Sequence, residues 1–510
     1  MKPNVGDIYC VYVERLSQYT ACQVTMLVDT KSSKGSQLAA ILELDWTGEK
    51  LPGEAELREM KPLICDYYFW NDRLDHWLVD ANMPPHYILV GNLPPLVTEE
   101  TNSYSGWHIG GSTIRQRRWS QIHEERRQRF KEAAKDNGFV EMSAGSIRLS
   151  TSKVDNSFLQ SLDDVFELEK LPCLTQIHAI GPYKSLFPFV KSNPIINQLQ
   201  LTNHGYTSVD IRESNLEKLI IDAEGLEELF LNEGLEELAF VGVLPPNLTI
   251  HAPHEGRWLT ANCSASAPID CGLNRLGSLH LRSVTELDLN MIVQSFPELR
   301  ELRMWGKPGT LSNIQSLEQL KELQGLSTYD LFGFEEDQFP GPEKMSNLSW
   351  LWMTSLPAEA ARYIKSAYKK EVVKGFDLSI SKPRKAEWLT ENVSNPFRDW
   401  DGRDNITVAN AKKAVQLYKK MLTMIHSLEE KYKAGSAEVT PTLEILVTEY
   451  TEAFNKMDRK AGFIMTEERE EIYTVLEELL DYAELKLSNV GIDRVNRVKL
   501  IEIFDALRDF

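Results

Sequence analysis

Residues 216–240 read LEKLIIDAEGLEELFLNEGLEELAF, and their spacing decides how the middle of the chain is built. Three apolar side chains recur as Leu-x-x-Leu-x-Leu: Leu216, Leu219 and Ile221, then Leu226, Leu229 and Leu231, then Leu235, Leu238 and Phe240. The last two of each triplet stand two residues apart, the period of a strand, so they turn to one side while their neighbours turn to the other. The phrase continues outward, at Ile196-Leu199-Leu201 before it and at Leu276-Leu279-Leu281, Val284-Leu287-Leu289, Leu299-Leu302-Met304 and Leu348-Leu351-Met353 after it. A short strand repeated this way predicts stacked units sharing one core. The starts are uneven: 20 residues separate 196 from 216, then 10 and 9 lead to 226 and 235, and 8 and 15 separate 276, 284 and 299.

On these residues the chain resembles the leucine-rich repeat family over roughly residues 170–355. The resemblance implies a solenoid with a parallel sheet on its concave face. The Asn that usually follows the third apolar position stands at Asn232 and Asn290 and is mostly absent elsewhere, so an irregular solenoid is expected, interrupted near 244–272. A helix after Pro357, AEAARYIKSAYKK, closes its apolar end.

A chain of 510 residues is long enough for three units. Hydrophobic residues make up 42% and charged residues 26%, an ordinary globular balance. The 75 acidic and 56 basic residues give a net charge of −19, which opposes nucleic acid and anionic lipid and favours a cationic partner. MKPNVGDIYCVYV lacks the features of a secretory signal, and no window has the apolar length that spans a bilayer. Six cysteines without a Cys-x-x-Cys fit scattered thiols of a reducing compartment, so the expected location is cytoplasmic.

Strand patterns fill Gly6 to about Leu96 (DIYCVYV, YTACQVTMLV, QLAAILEL and HYILVGNL), with a turn at Ser32–Ser36. Tyr67, Tyr68, Phe69, Trp70 and Trp77 are available to cover one opening of a small sheet or barrel, as core or as a recognition patch. Residues 114–136 predict one basic helix stopped by Asn137-Gly138, and its eight Lys/Arg against three Glu suit a solvated face or docking on an acidic surface. A linker follows from Ser381 to Asn405. Four helices then begin at Thr407, Thr440-Pro441, Thr466 and about Asp493, the first running through Tyr432 to Gly435. The expected fold class is thus α+β multidomain: a β-rich domain (1–110), a basic helix and connection (111–169), an irregular leucine-rich-repeat solenoid (170–375), a linker (376–405) and a helical bundle (406–510).

No motif for a nucleophile, phosphate loop or dinucleotide site is complete. Ser150-Thr-Ser-Lys153 lacks its companion elements, and Gly106–Thr113 lacks a Walker lysine. His251, His254, Cys263 and Cys271 are zinc-type ligands at unconventional spacing, weighed against a plain loop, and Asp399, Asp401 and Asp404 suit a turn better than a calcium loop. No cofactor is implied. Nine acidic and two basic residues crowd 211–240, so Glu227, Glu228, Glu236 and Glu237 are the candidate contacts of an anionic docking strip, against the alternative of a solvated face.

Val5-Gly6-Asp7-Ile8-Tyr9-Cys10-Val11-Tyr12, followed by Tyr19-Thr-Ala-Cys22-Gln-Val, resembles the start of an immunity-protein family of bacterial polymorphic toxin systems. That resemblance implies a cytoplasmic antidote that binds and neutralises a cognate toxin, with a basic toxin as the partner that suits the acidic charge. The expected function is therefore a protein-binding module, not an enzyme. The alternatives are an adaptor without a toxin, or an enzyme using the aromatic group with Asp72 or Asp75.

Overall fold

The computed structural model describes residues 2–29, 37–84, 86–264, 267–385, 388, 392, 394–433, 439–488 and 495–510. The turn expected at 32–36, the helix end at Gly435 and the start at Asp493 lie outside them. Two compact units divide the chain, Met1–Arg384 and Lys385–Phe510.

The first unit opens with a five-stranded antiparallel sheet in the order His76–Asp80, Gln37–Gly48, Gln18–Asp29, Asp7–Val13, Ile88–Asn92. Alternating side chains bury both faces: Tyr9, Cys22, Val24, Ile41 and Trp77 on one, Ile8, Cys10, Ala21, Leu42 and Leu44 on the other. The opening motif is structural here. Gly6 takes a left-handed φ of 91°, where a Cβ would fall 2.5 Å from the Leu93 carbonyl oxygen. The Asp7 carboxylate accepts from the Asn4 N–H (2.7 Å), the Tyr9 hydroxyl (3.0 Å) and Asn92 Nδ2 (2.9 Å), tying the first strand to the last.

The single basic helix expected over 114–136 is two, Gly111–Gln121 and Glu124–Lys135, broken at Ile122 and His123. The break lets Trp119 and Phe130 meet with ring centroids 5.4 Å apart, both buried. The second helix ends at an extended Asp136, whose carboxylate accepts the Gly138 N–H at 2.7 Å, in place of a left-handed glycine stop.

The expected fold class is corrected in the middle third. In place of an irregular, interrupted solenoid stands one eleven-stranded parallel sheet, an α/β arrangement, with strands Lys153–Val154, Gln176–Ile180, Gln198–Thr202, Lys218–Asp222, Glu237–Val241, Thr260–Cys263, Ser278–Asp288, Glu301–Ser312, Gly325–Phe332, Trp350–Thr354 and Asp377–Ser381 in chain order. The supposed interruption near 244–272 supplies an internal strand of it, Thr260–Cys263. The close spacing of the phrases also has a physical reason. Leu226-Leu229-Leu231 belongs to a second parallel sheet of three strands, Ser208–Asp210, Glu228–Phe230 and Thr249–His251, so alternate phrases feed different sheets. Val284-Leu287-Leu289 is the tail of Ser278–Asp288 and the first residue of helix Leu289–Ser295, not a strand of its own. Inward leucines of the large sheet, among them Leu199, Leu219, Leu238, Leu279, Leu302, Leu326 and Leu351, are fully buried in a core that runs from Met142 to Tyr368. Helix Ala358–Ala367 adds Ala360, Ala361 and Ile364 to that core.

The second unit includes the long helices Val408–Lys433, Val439–Ala461, Thr466–Ser488 and Arg497–Leu507. Thr407 Oγ1 accepts the Asn410 N–H at 3.2 Å and caps the first. Ala414, Met421, Ile425, Leu446, Tyr450, Phe454, Ile472, Leu476, Leu479 and Phe504 form its core with Phe397 and Trp400 from the segment ahead of it. Among the described residues no helix is long and apolar enough to cross a membrane.

Candidate partner-binding face

Residues that alternate with the buried leucines project from the large sheet on its polar side, and the register sets them beside one another. Ala239, Asn262, His280, Arg303, Ser327, Trp352 and Ser379 form one row across the strands. A hydrogen-bonded ladder runs along it. Lys218 Nζ lies 3.0 Å from Glu237 Oε1, and Asn262 Nδ2 donates to that same oxygen at 3.0 Å. The amide is thereby oriented, and its Oδ1 sits 3.0 Å from His280 Nδ1. His280 Nε2 is 3.0 Å from Glu301 Oε1, which also accepts from Arg303 Nε at 2.6 Å, so both ring nitrogens of His280 face acceptors. Burial pushes the Glu301 carboxyl up, but hydrogen bonds from His280 and Arg303 outweigh it and hold the group below its ordinary value.

Beyond the ladder the face turns aromatic. The Arg303 guanidinium lies 5.2 Å from the centre of the Trp350 ring and 5.9 Å from that of Trp352, and the two indoles are 4.7 Å apart at a 41° tilt. Trp350 has room because Gly325 is its neighbour: a Cβ there would fall 2.0 Å from the indole. Trp352, 40% exposed, donates its Nε1–H to Asp377 Oδ2 at 2.9 Å. Arg282 stacks 5.3 Å over Trp305, whose register partner is Tyr329. Such cation–π pairs favour guanidinium groups beside the ring faces.

The four glutamates of the expected docking strip are not one strip. Glu236 is engaged within the chain, its Oε1 3.0 Å from Arg15 Nη1 and 3.3 Å from Arg118 Nη1, its Oε2 3.3 Å from Arg115 Nη2. The basic helix thus docks on an acidic surface that belongs to its own chain, and Arg118 adds a 3.0 Å bond to the Gly234 carbonyl. Arg257 reinforces the junction, 6% exposed and paired with Glu322 (2.6 Å), Glu298 (3.2 Å) and Glu14 (3.4 Å). Glu237 is part of the ladder. Glu227 and Glu228 lie at the three-stranded sheet and are exposed, Glu228 3.8 Å from His251 Nε2.

The zinc-type residues do not converge. Cys263 and Cys271 are buried among apolar side chains, where burial pushes both thiols up, Cys271 to about 11. His251 stacks on Phe230 with centroids 4.2 Å apart, and His254 lies 3.2 Å from Glu233. Among the described residues no group of three His, Cys, Asp or Glu is placed to hold a metal ion. Of the expected aromatic group, Tyr67 and Tyr68 pack with Trp119 and Phe130, while Trp77 joins the core of the five-stranded sheet. Asp72 sits on an exposed turn with φ 58°. Asp75 is buried beside Glu43, which is fully enclosed, its Oε1 accepting from Thr113 Oγ1 (2.6 Å) and the Gly110 and Thr113 N–H groups (3.0 and 3.3 Å).

Missed by the pattern reading were Arg282, Arg303, Trp305, Trp350 and Trp352. Their signal lay in the variable positions of the phrases, as in Leu302-Arg-Met304-Trp and Trp350-Leu-Trp352. The chain matches no family model and no curated protein.

Proposed function

We propose that the chain is a protein-binding module whose contact surface is the indole–guanidinium shelf of Trp305, Trp350, Trp352, Arg282 and Arg303. One observation carries this: Trp and Arg, the residue types that dominate binding energy at protein interfaces, are gathered on one face and left partly open. The ladder holds Arg303 and His280 in place, so little side-chain freedom is lost on contact. Within this class the opening motif's resemblance favours a cytoplasmic immunity protein that neutralises a toxin, and the six buried free cysteines suit a reducing compartment. With Glu236 already occupied by three arginines, the shelf takes the place of the acidic strip as the contact surface.

The test is capture of a stoichiometric partner from the native host by the full chain and by its Trp350→Ala/Trp352→Ala variant. Loss of the two indoles is expected to weaken the complex by about 2 kcal/mol or more. Co-expression with the chain is expected to restore growth that the captured protein alone arrests. Equal capture by the variant would take binding away from the shelf; a partner harmless to growth would remove the antidote role.

A further inference from the structure

We infer that the partner reaches this face with an extended segment lying diagonally across the strands, bringing a carboxylate to Arg282 and a cation to Asp377, with apolar or aromatic side chains between them. The inference rests on the recognition role proposed for the shelf and adds the chemistry of what it recognises.

The two charges at its ends are the reason. Arg282 is exposed, its guanidinium carbon 5.3 Å from the centre of the Trp305 ring, and among the described residues no carboxylate comes within ion-pair distance of it. Asp377 is exposed at the opposite side, where among the described residues its carboxylate accepts the Trp352 indole hydrogen and meets no cation. Arg303 lies between them and is already neutralised by Glu301. The face therefore offers one positive end, an aromatic centre and one negative end. A uniformly acidic ligand would meet Asp377, and a uniformly basic one would meet Arg282, each at a cost.

The register supplies the length. Asp377 shares a row with Trp350, Gly325, Glu301 and Ser278, four strand steps across, and Arg282 stands four residues further along the strand of Ser278. At about 4.8 Å per strand step and 3.3 Å per residue the two ends are on the order of 20 Å apart, which an extended chain covers in about six or seven residues. Opposite charges at the two ends also fix the direction in which the segment lies.

The experiment pans a displayed library of short peptides against the full-length chain and keeps those whose binding is lost on Trp352→Ala. The expected sequences carry Asp or Glu near one end and Lys or Arg near the other, about six residues apart, around aromatic or aliphatic side chains. Arg282→Glu with Asp377→Lys, both at exposed positions, is expected to weaken those peptides about tenfold or more and to select sequences with the charge order reversed. Trp352-dependent peptides without that charge order, or indifferent to the swap, would overturn the inferred chemistry and leave the shelf as the contact surface. If no bound peptide depends on Trp352, the recognition role of the shelf falls with it.

Discussion

Glu43→Gln is expected to remove most of the loss of stability expected of the wild-type chain between about pH 5 and pH 8. Glu43 is fully buried, one oxygen taken up by Thr113 and the Gly110 N–H and the other, Oε2, without a donor among the described residues. Burial first, and then the neighbouring Asp75 carboxyl, push it from 4.5 to about 7, against the hydrogen bonds from Thr113 and Gly110. Asp75 is itself raised, by burial. The folded state thus holds a proton that the unfolded chain gives up near its ordinary carboxyl value. The stability this contributes is full below that value and is lost as pH rises through about 7. A shift of that size corresponds to about 3 kcal/mol. Glutamine keeps the acceptor for Thr113 and Gly110 and offers Asp75 an N–H that does not titrate. Urea unfolding of both proteins at about pH 5 and pH 8 checks it: the wild type falls and the variant stays nearly level, and equal slopes would remove the dyad as the cause. The site matters beyond its own region because the Gly111–Gln121 helix that Glu43 anchors carries Arg115 and Arg118 to Glu236.

None of this coupling is visible along the chain. Glu43 stands 70 residues from Thr113 in sequence, and Arg115 stands 121 from Glu236, distances over which no local period operates. What was legible is what local physics controls: the strand-period leucines, the Thr407 cap, and the apolar face of Ile472, Val475, Leu476, Leu479 and Ala483, all buried as their spacing requires. The phrases at 216, 226 and 235 look alike, yet the middle one serves another sheet, because the same short apolar strand can fill either. The ladder was illegible for a related reason. Its members at 237, 262, 280 and 301 lie 25, 18 and 21 residues apart, so they meet only because strands of unequal separation are set side by side.

Arg403→Ala is expected to cost the helical unit about 3 kcal/mol or more, the price of leaving a buried carboxylate without its partner. Arg403 donates to Glu468 Oε1 at 2.9 Å and to Glu471 Oε1 at 2.5 Å, while the other Glu471 oxygen accepts the Trp400 indole N–H at 2.8 Å. Trp400 is 1% exposed and packs on Phe397, Phe454 and Phe463, so the ion pairs hold the entry segment against the helices. Glu468 has a side chain only 3% exposed. Burial pushes its carboxyl up, but hydrogen bonds from Asn405, the Met465 N–H and Arg403 outweigh this and hold it below its ordinary value. In the wild type that stabilisation is present above the unfolded value and lost as pH falls through the folded one. Without Arg403 burial gains weight, Glu468 rises, and acid relieves the variant instead of weakening it. The gap between the two proteins is therefore expected to narrow on acidification. Glu468→Gln placed on Arg403→Ala is expected to recover part of the loss at neutral pH, since it removes the stranded charge. Hydrogen exchange of the Thr466–Ser488 amides, followed at neutral and mildly acidic pH in the full chain, reads all three. Protection in the Arg403→Ala variant that matches the wild type at neutral pH would show that the surrounding hydrogen bonds carry Glu468 unaided.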